Sequence, residues 1–104
     1  MTLDATYVLI HGGGATARFW DRAVPLLDRP ALAVDLPGRN GKPADFATLT
    51  VDDEVDSVVR DVEAANIDGP LVIVAHSSGG LVVPGVVAGL GARLGRAFRH
   101  APVL

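Results

Sequence analysis

Ser77 has the neighbours that would let a serine do chemistry. It lies in Leu71-Val72-Ile73-Val74-Ala75-His76-Ser77-Ser78-Gly79-Gly80, an apolar β-branched run followed by a small-x-Ser-x-Gly pentad and a segment of helical character. A strand that turns directly into a helix needs small residues two before and two after the serine, and Ala75 and Gly79 meet that need. Such a turn strains the serine backbone and lifts its hydroxyl above the sheet edge. The helix N-terminus behind it directs unpaired N–H groups and a positive dipole at the same point, the arrangement that suits nucleophilic attack on a carbonyl.

A second motif, Tyr7-Val8-Leu9-Ile10-His11-Gly12-Gly13-Gly14, ends another apolar strand in a glycine turn. In a parallel sheet this turn shares an edge with Ser77. Glycines let backbone approach a substrate closely. An N–H of the turn, from Gly13 with Gly14 as the other candidate, would pair with the N–H of Ser78 to hold a developing oxyanion.

A serine needs an adjacent base, and the chain has three histidines. His11 closes the first strand and reads as a structural residue hydrogen-bonded at the base of the glycine turn. His76 should point away from Ser77 across the sharp turn, so geometry argues against it as the base. His100 lies in the last segment with Arg96, Arg99 and Pro102. Arg93, Arg96 and Arg99 read as a solvated face near a helix end, where cations complement the dipole.

The elements that must position these residues follow from hydrophobic period. Residues 6–10, 31–34 and 71–75 are short, nearly continuous apolar runs, the pattern of parallel strands buried on both faces. Helical period occurs at 17–27, where Phe19, Trp20, Ala23 and Leu27 share a face and Pro25 marks an end or a kink. It recurs at 51–65, where Val55, Val58, Val59 and Val62 do so, with Thr50 as cap and Asp52 and Asp53 in the first turn. A third, glycine-rich helix spans 79 to about 94 and should pack tightly on the sheet; 98–104 begins a fourth strand. The alternation calls for an α/β layered sheet with parallel strands and right-handed crossovers. The long loop 36–49 leaves the edge where such sheets bind ligands.

Composition excludes much else. The chain of 104 residues is 49% hydrophobic and 20% charged, the balance of one globular domain or a piece of one. With no cysteine there is no disulfide framework, thiolate zinc site or cysteine nucleophile. Nine Lys+Arg against 12 Asp+Glu, a net charge of −3, give no footprint for nucleic acid or an anionic membrane. Residues 69–92 carry no charge, yet His76, Ser77, Ser78 and Pro84 interrupt them, and a buried strand feeding a buried helix gives the same run. The start, Met1-Thr2-Leu3-Asp4, lacks the basic and apolar parts of a signal peptide, so the expected location is cytoplasmic. Oligomeric state is not legible.

The segments YVLIHGGG…FW, AVDLPGRNG and LVIVAHSSGG together resemble the N-terminal half of the α/β-hydrolase superfamily, in its small esterase and hydroxynitrile-lyase-like branch. The resemblance implies a truncated α/β-hydrolase fold, a three-layer α/β/α sandwich with a parallel sheet of three or four strands ordered 2-1-3-4. It also implies a serine nucleophile at Ser77, an oxyanion hole from Gly13 and Ser78, a structural role for the turn at Asp35, and a small-molecule ester or related acyl substrate. It implies no metal and no organic cofactor. Ala75 stands where the family usually has glycine. The family's catalytic acid and histidine come from later elements, and His100 matches no such position, so residues 1–104 are expected to be the N-terminal part of a single α/β-hydrolase domain, weakly active or inactive alone.

Two other readings compete. Gly12 to Ala17 fits G-x-G-x-x-A after a strand, and Asp35 ends the next strand about 20 residues on, as in a dinucleotide (NAD) fingerprint. That reading leaves the Ser77 pentad unexplained. Alternatively, the chain is a non-catalytic relic of the hydrolase fold.

Overall fold

The computed structural model describes residues 5–91 and, for their backbone, 94–100. Four parallel strands, β1 (Thr6–Ile10), β2 (Ala31–Val34), β3 (Leu71–His76) and β4 (Leu94–His100), form one sheet in the order β2-β1-β3-β4. Two α-helices, α1 (Val51–Ala64) and α2 (Val83–Leu90), alternate with them. The expected α/β architecture and strand order are therefore present. The fourth strand starts earlier than its sequence pattern suggests; residues 101–104 of the expected strand lie outside those described.

The core sits between the sheet and the two helices. Val8 and Ile10 of β1, Leu71, Ile73 and Ala75 of β3, Val34 of β2, Val58 and Val62 of α1, and Val82, Val83 and Val86 form one buried cluster. Because strand side chains alternate, these residues define one face of the sheet. Residues of the opposite face, such as Val72 and Val74, are only half-buried, so β3 alternates between buried and intermediate positions. Burial on both faces thus holds at the Val8–Ile10 end of β1, where Leu9 is buried too, and is corrected for β2 and β3.

The second face is covered lightly because the helix expected at 17–27 does not form. Two short 3-10 turns, Ala17–Trp20 and Val24–Leu26, take its place, and Leu27 is extended with ψ 146°. Pro25 has no N–H, and its ring would collide with the carbonyl one turn back in an α-helix. Phe19 is consequently 47% exposed rather than part of a buried stripe.

Helix α1 has a complete capping box: Thr50 Oγ1 accepts from the Asp53 N–H at 3.1 Å, and Asp53 Oδ2 accepts from the Thr50 N–H at 3.0 Å. Asp52, Asp53 and Glu54 sit in its first turn, against the positive end of the dipole. Lys42 fastens the preceding loop to this helix, donating from Nζ to the Asp35 carbonyl and to the Asp61 carboxylate.

The segment expected to pack tightly on the sheet does so through Gly79 and the buried Val82, Val83 and Val86, while the glycines within α2 serve helix–helix packing. A β-carbon on Gly85 would lie 2.6 Å from Val55 Cγ2, and one on Gly89 2.9 Å from Val59 Cγ2. The helix stops at Leu90, short of the expected 94, because Gly91 turns the chain with φ 60°. Arg96 and Arg99 accordingly lie on β4, in register with Val72 and Ala75, and not at a helix end; Arg93 lies outside the described residues. No helix among the described residues is long and apolar enough to cross a membrane.

Thr50→Ala removes one half of the capping box and should cost about 1 kcal/mol. The midpoint of urea unfolding should fall with an unchanged slope; an unmoved midpoint would contradict the assigned cap.

Candidate active site

Strand register brings the two motifs together. Ile10 pairs with Ala75, so the strands leave the sheet side by side, with His11-Gly12-Gly13 running beside His76-Ser77-Ser78. Ser77 follows the last strand residue with φ 55°, in the left-handed region that costs a non-glycine residue roughly 1–3 kcal/mol. It is exposed, while Gly79 and Gly80 behind it are buried. A 3-10 turn, Ser77–Val82, then leads directly into α2. The strained strand-to-helix turn expected at Ser77 is what the chain forms.

Gly79 makes that turn sterically feasible. A β-carbon there would stand 2.4 Å from the His11 carbonyl oxygen and 3.1 Å from that of Ile10, both backbone atoms that cannot swing aside. Gly12 faces the same junction: a β-carbon on it would lie 3.1 Å from both the His76 carbonyl and Ser77 Cβ. The glycine turn is therefore packed against the serine turn itself.

Gly13 and Ser78, the residues expected to supply two oxyanion donors, are adjacent. Their relation is more specific than the sequence suggested, because the Gly13 N–H donates to Ser78 Oγ at 2.7 Å. The side chain of Ser78 thus holds the glycine turn directly. The hydroxyl at 78 was the only sequence signal for this contact. Gly14, the alternative donor, is exposed with φ 75°.

His11 is fully buried. Its Nε2 accepts from the Leu36 N–H at 3.0 Å, which fixes the tautomer because a backbone N–H only donates. Nδ1 therefore carries the proton and donates to the Gly12 carbonyl at 2.7 Å. Both nitrogens are committed to holding the glycine turn against the second strand's end, as a structural histidine requires. His76 belongs to the other face of the sheet from Ala75, and its ring stacks on Phe19 at 4.4 Å and 29°. The backbone of His100 is in register with His76 on β4.

Asp35 is occupied structurally. Its Oδ1 accepts from the Ala17 N–H at 2.8 Å and its Oδ2 from Asn40 Nδ2 at 3.3 Å, so both oxygens serve the chain's own loops. The dinucleotide reading needs this carboxylate for a ribose and a helix opening within the glycines. Here a 3-10 turn begins only at Ala17. A groove of about 530 Å³ borders Asp35, Asn40, Lys42 and Asp61, but no residue of the serine turn lines it. No group of three or more potential metal ligands occurs among the described residues.

Gly79→Ala should destabilise the chain by roughly 1–3 kcal/mol, the range for forcing extra atoms into a packed site. Thermal unfolding measures this; an unchanged Tm would contradict the contact with His11. NAD at millimolar concentration should leave Tm where it is, and a rise would revive the dinucleotide reading.

Comparison with known proteins gives one family. The chain is 26% identical to an extracellular alpha/beta-hydrolase from a Paenibacillus species, described as sharing structural and functional homology with tobacco salicylic acid binding protein 2. That match has a TM-score of 0.79 and covers 96% of this chain and 42% of the other. It is 26% identical to polyneuridine aldehyde esterase, with a TM-score of 0.77 over 92% of this chain and 39% of that one. Against Cfl2 from Burkholderia cenocepacia the identity is 25% and the TM-score 0.80, over 95% and 34% of the two chains. A stretch of 31 residues is 55% identical to the esterase Rv0045c of Mycobacterium tuberculosis, 30% of this chain and 10% of that protein. The chain thus spans well under half the length of each. Residues 7–104 match the sequence model of the Alpha/beta hydrolase family, and the chain belongs to that family.

Proposed function

We propose that the protein is a serine hydrolase acting on small carboxylic esters, with Ser77 as nucleophile and the backbone N–H of Ser78 and the Gly13 turn as the oxyanion site. The observation that carries this reading is the positive φ of Ser77, a strained and exposed serine between β3 and the helical segment leading into α2. Strain of this kind, held in place by the Gly79 contact, is costly to stability and is characteristic of positions where it serves chemistry. Esterases among the relatives point to the substrate class.

In the reaction, a bond forms between Ser77 Oγ and the ester carbonyl carbon, and the carbon–oxygen bond to the alcohol breaks. The serine proton passes through a histidine imidazole to the departing alkoxide. Water then reverses these roles and releases the acid. His11 is committed on both nitrogens and His76 stacks on Phe19, so neither supplies that imidazole. The base and the acid orienting it come, in this proposal, from beyond the described residues, and residues 1–104 form the N-terminal part of one hydrolase domain.

The protein from its native source should release a burst of about one equivalent of p-nitrophenolate from p-nitrophenyl acetate, the sign of an accumulating acyl-enzyme. Ser77→Ala should abolish the burst. A burst that survives Ser77→Ala would overturn the assignment.

A further inference from the structure

The contact between Gly13 and Ser78 changes how an oxyanion would be held, and the inference drawn from it rests on the oxyanion site proposed above. The Gly13 N–H does not face open solvent; it donates to Ser78 Oγ at 2.7 Å. A hydroxyl has one proton to donate and two lone pairs to accept with. Receiving the Gly13 N–H uses one lone pair and leaves the O–H proton to be given elsewhere. Ser78 is exposed on the same sheet edge as Ser77, and its own backbone N–H opens the helical segment.

We propose that Ser78 supplies two oxyanion donors, its backbone N–H and its side-chain O–H, and that Gly13 acts on the oxyanion through that hydroxyl rather than directly. A hydroxyl that accepts one hydrogen bond donates a stronger one, because successive dipoles in a chain polarise each other. Gly13 also fits this role sterically: a β-carbon there would crowd Ser78 Oγ at 3.1 Å, so a side chain would press on the hydroxyl it serves. The arrangement makes residue 78 a determinant of rate, where an apolar residue would leave only backbone N–H groups, its own and that of Gly13, to do the work.

Two measurements test this. The first is saturation kinetics of fluorophosphonate labelling on the protein from its native source and its variants. In this reaction Ser77 Oγ bonds to phosphorus, the phosphorus–fluorine bond breaks and fluoride leaves with the serine proton passed to the base. Ser78→Ala should slow the bond-forming step about 100-fold with little change in the reversible affinity, the scale for losing one oxyanion donor. Ser78→Thr, which keeps a hydroxyl, should restore most of the rate. Labelling of Ser78→Ala at or above the unmodified rate would overturn the proposal, since the freed Gly13 N–H would then be the better donor.

The second measurement needs no nucleophile. In the Ser77→Ala background, the affinity for butyrate, read from the Gly13 and Ser78 amide resonances, should weaken about tenfold when Ser78→Ala is added, roughly 1.4 kcal/mol. Equal affinities would overturn the proposal. Failure of the unmodified protein to label, with weakened butyrate binding, would count against Ser77 as nucleophile while leaving the role of Ser78 intact.

Discussion

Between Gly79 and the carbonyl of His11 there is no room for a side chain, since a β-carbon would sit 2.4 Å from that oxygen. The contact fixes how closely the segment after β3 can cross the end of β1, and other features follow from that distance. With the two backbones this close, the chain turns sharply where β3 gives way to the 3-10 segment, and Ser77 takes the positive φ at that junction. The same crossing presses Gly12 against Ser77 and brings the Gly13 N–H onto the Ser78 hydroxyl. Burial of the valine-rich core beneath α1 and α2 stabilises the fold enough to hold one strained residue in place.

His11 and Asp35 extend this constraint to neighbouring loops. The imidazole bridges the Leu36 N–H and the Gly12 carbonyl, joining the end of β2 to the glycine turn. The Asp35 carboxylate joins the start of the first 3-10 turn to Asn40, and Lys42 ties the Asp35 carbonyl to Asp61 on α1. The histidine and the aspartate at the two strand ends are thus consumed in positioning backbone, as their structural readings from the sequence expect. This leaves the serine pair as the exposed, chemically capable feature of the edge formed by β1 and β3.

Much of this was legible in the residues. The apolar runs of β1, β2 and β3, the cap at Thr50 and the turn at Ser77 follow from period and from small residues at fixed offsets, and the strand order from the family resemblance. What was not legible depends on competition between local and tertiary terms. The period of Phe19, Trp20, Ala23 and Leu27 suggests an α-helix, but Pro25 breaks it into 3-10 turns. The close contact of Gly85 and Gly89 with Val55 and Val59 of α1 is a tertiary pairing that the glycine-rich pattern alone does not reveal. Gly91 ends the helix earlier than the apolar pattern does, which moves Arg96 and Arg99 onto a strand. The hydrogen bond from Gly13 to Ser78 is a side-chain detail between residues 65 positions apart, beyond the reach of any local pattern.

The account stands on Ser77 being an activated nucleophile. Its most direct test is the intact mass of the protein from its native source before and after a fluorophosphonate, followed by fragmentation to locate any adduct. One adduct per chain, on the peptide holding Ser77 and absent from Ser77→Ala, is the expected result. No adduct, or an adduct that persists in Ser77→Ala, would contradict it and leave the strained turn as a structural relic of the fold.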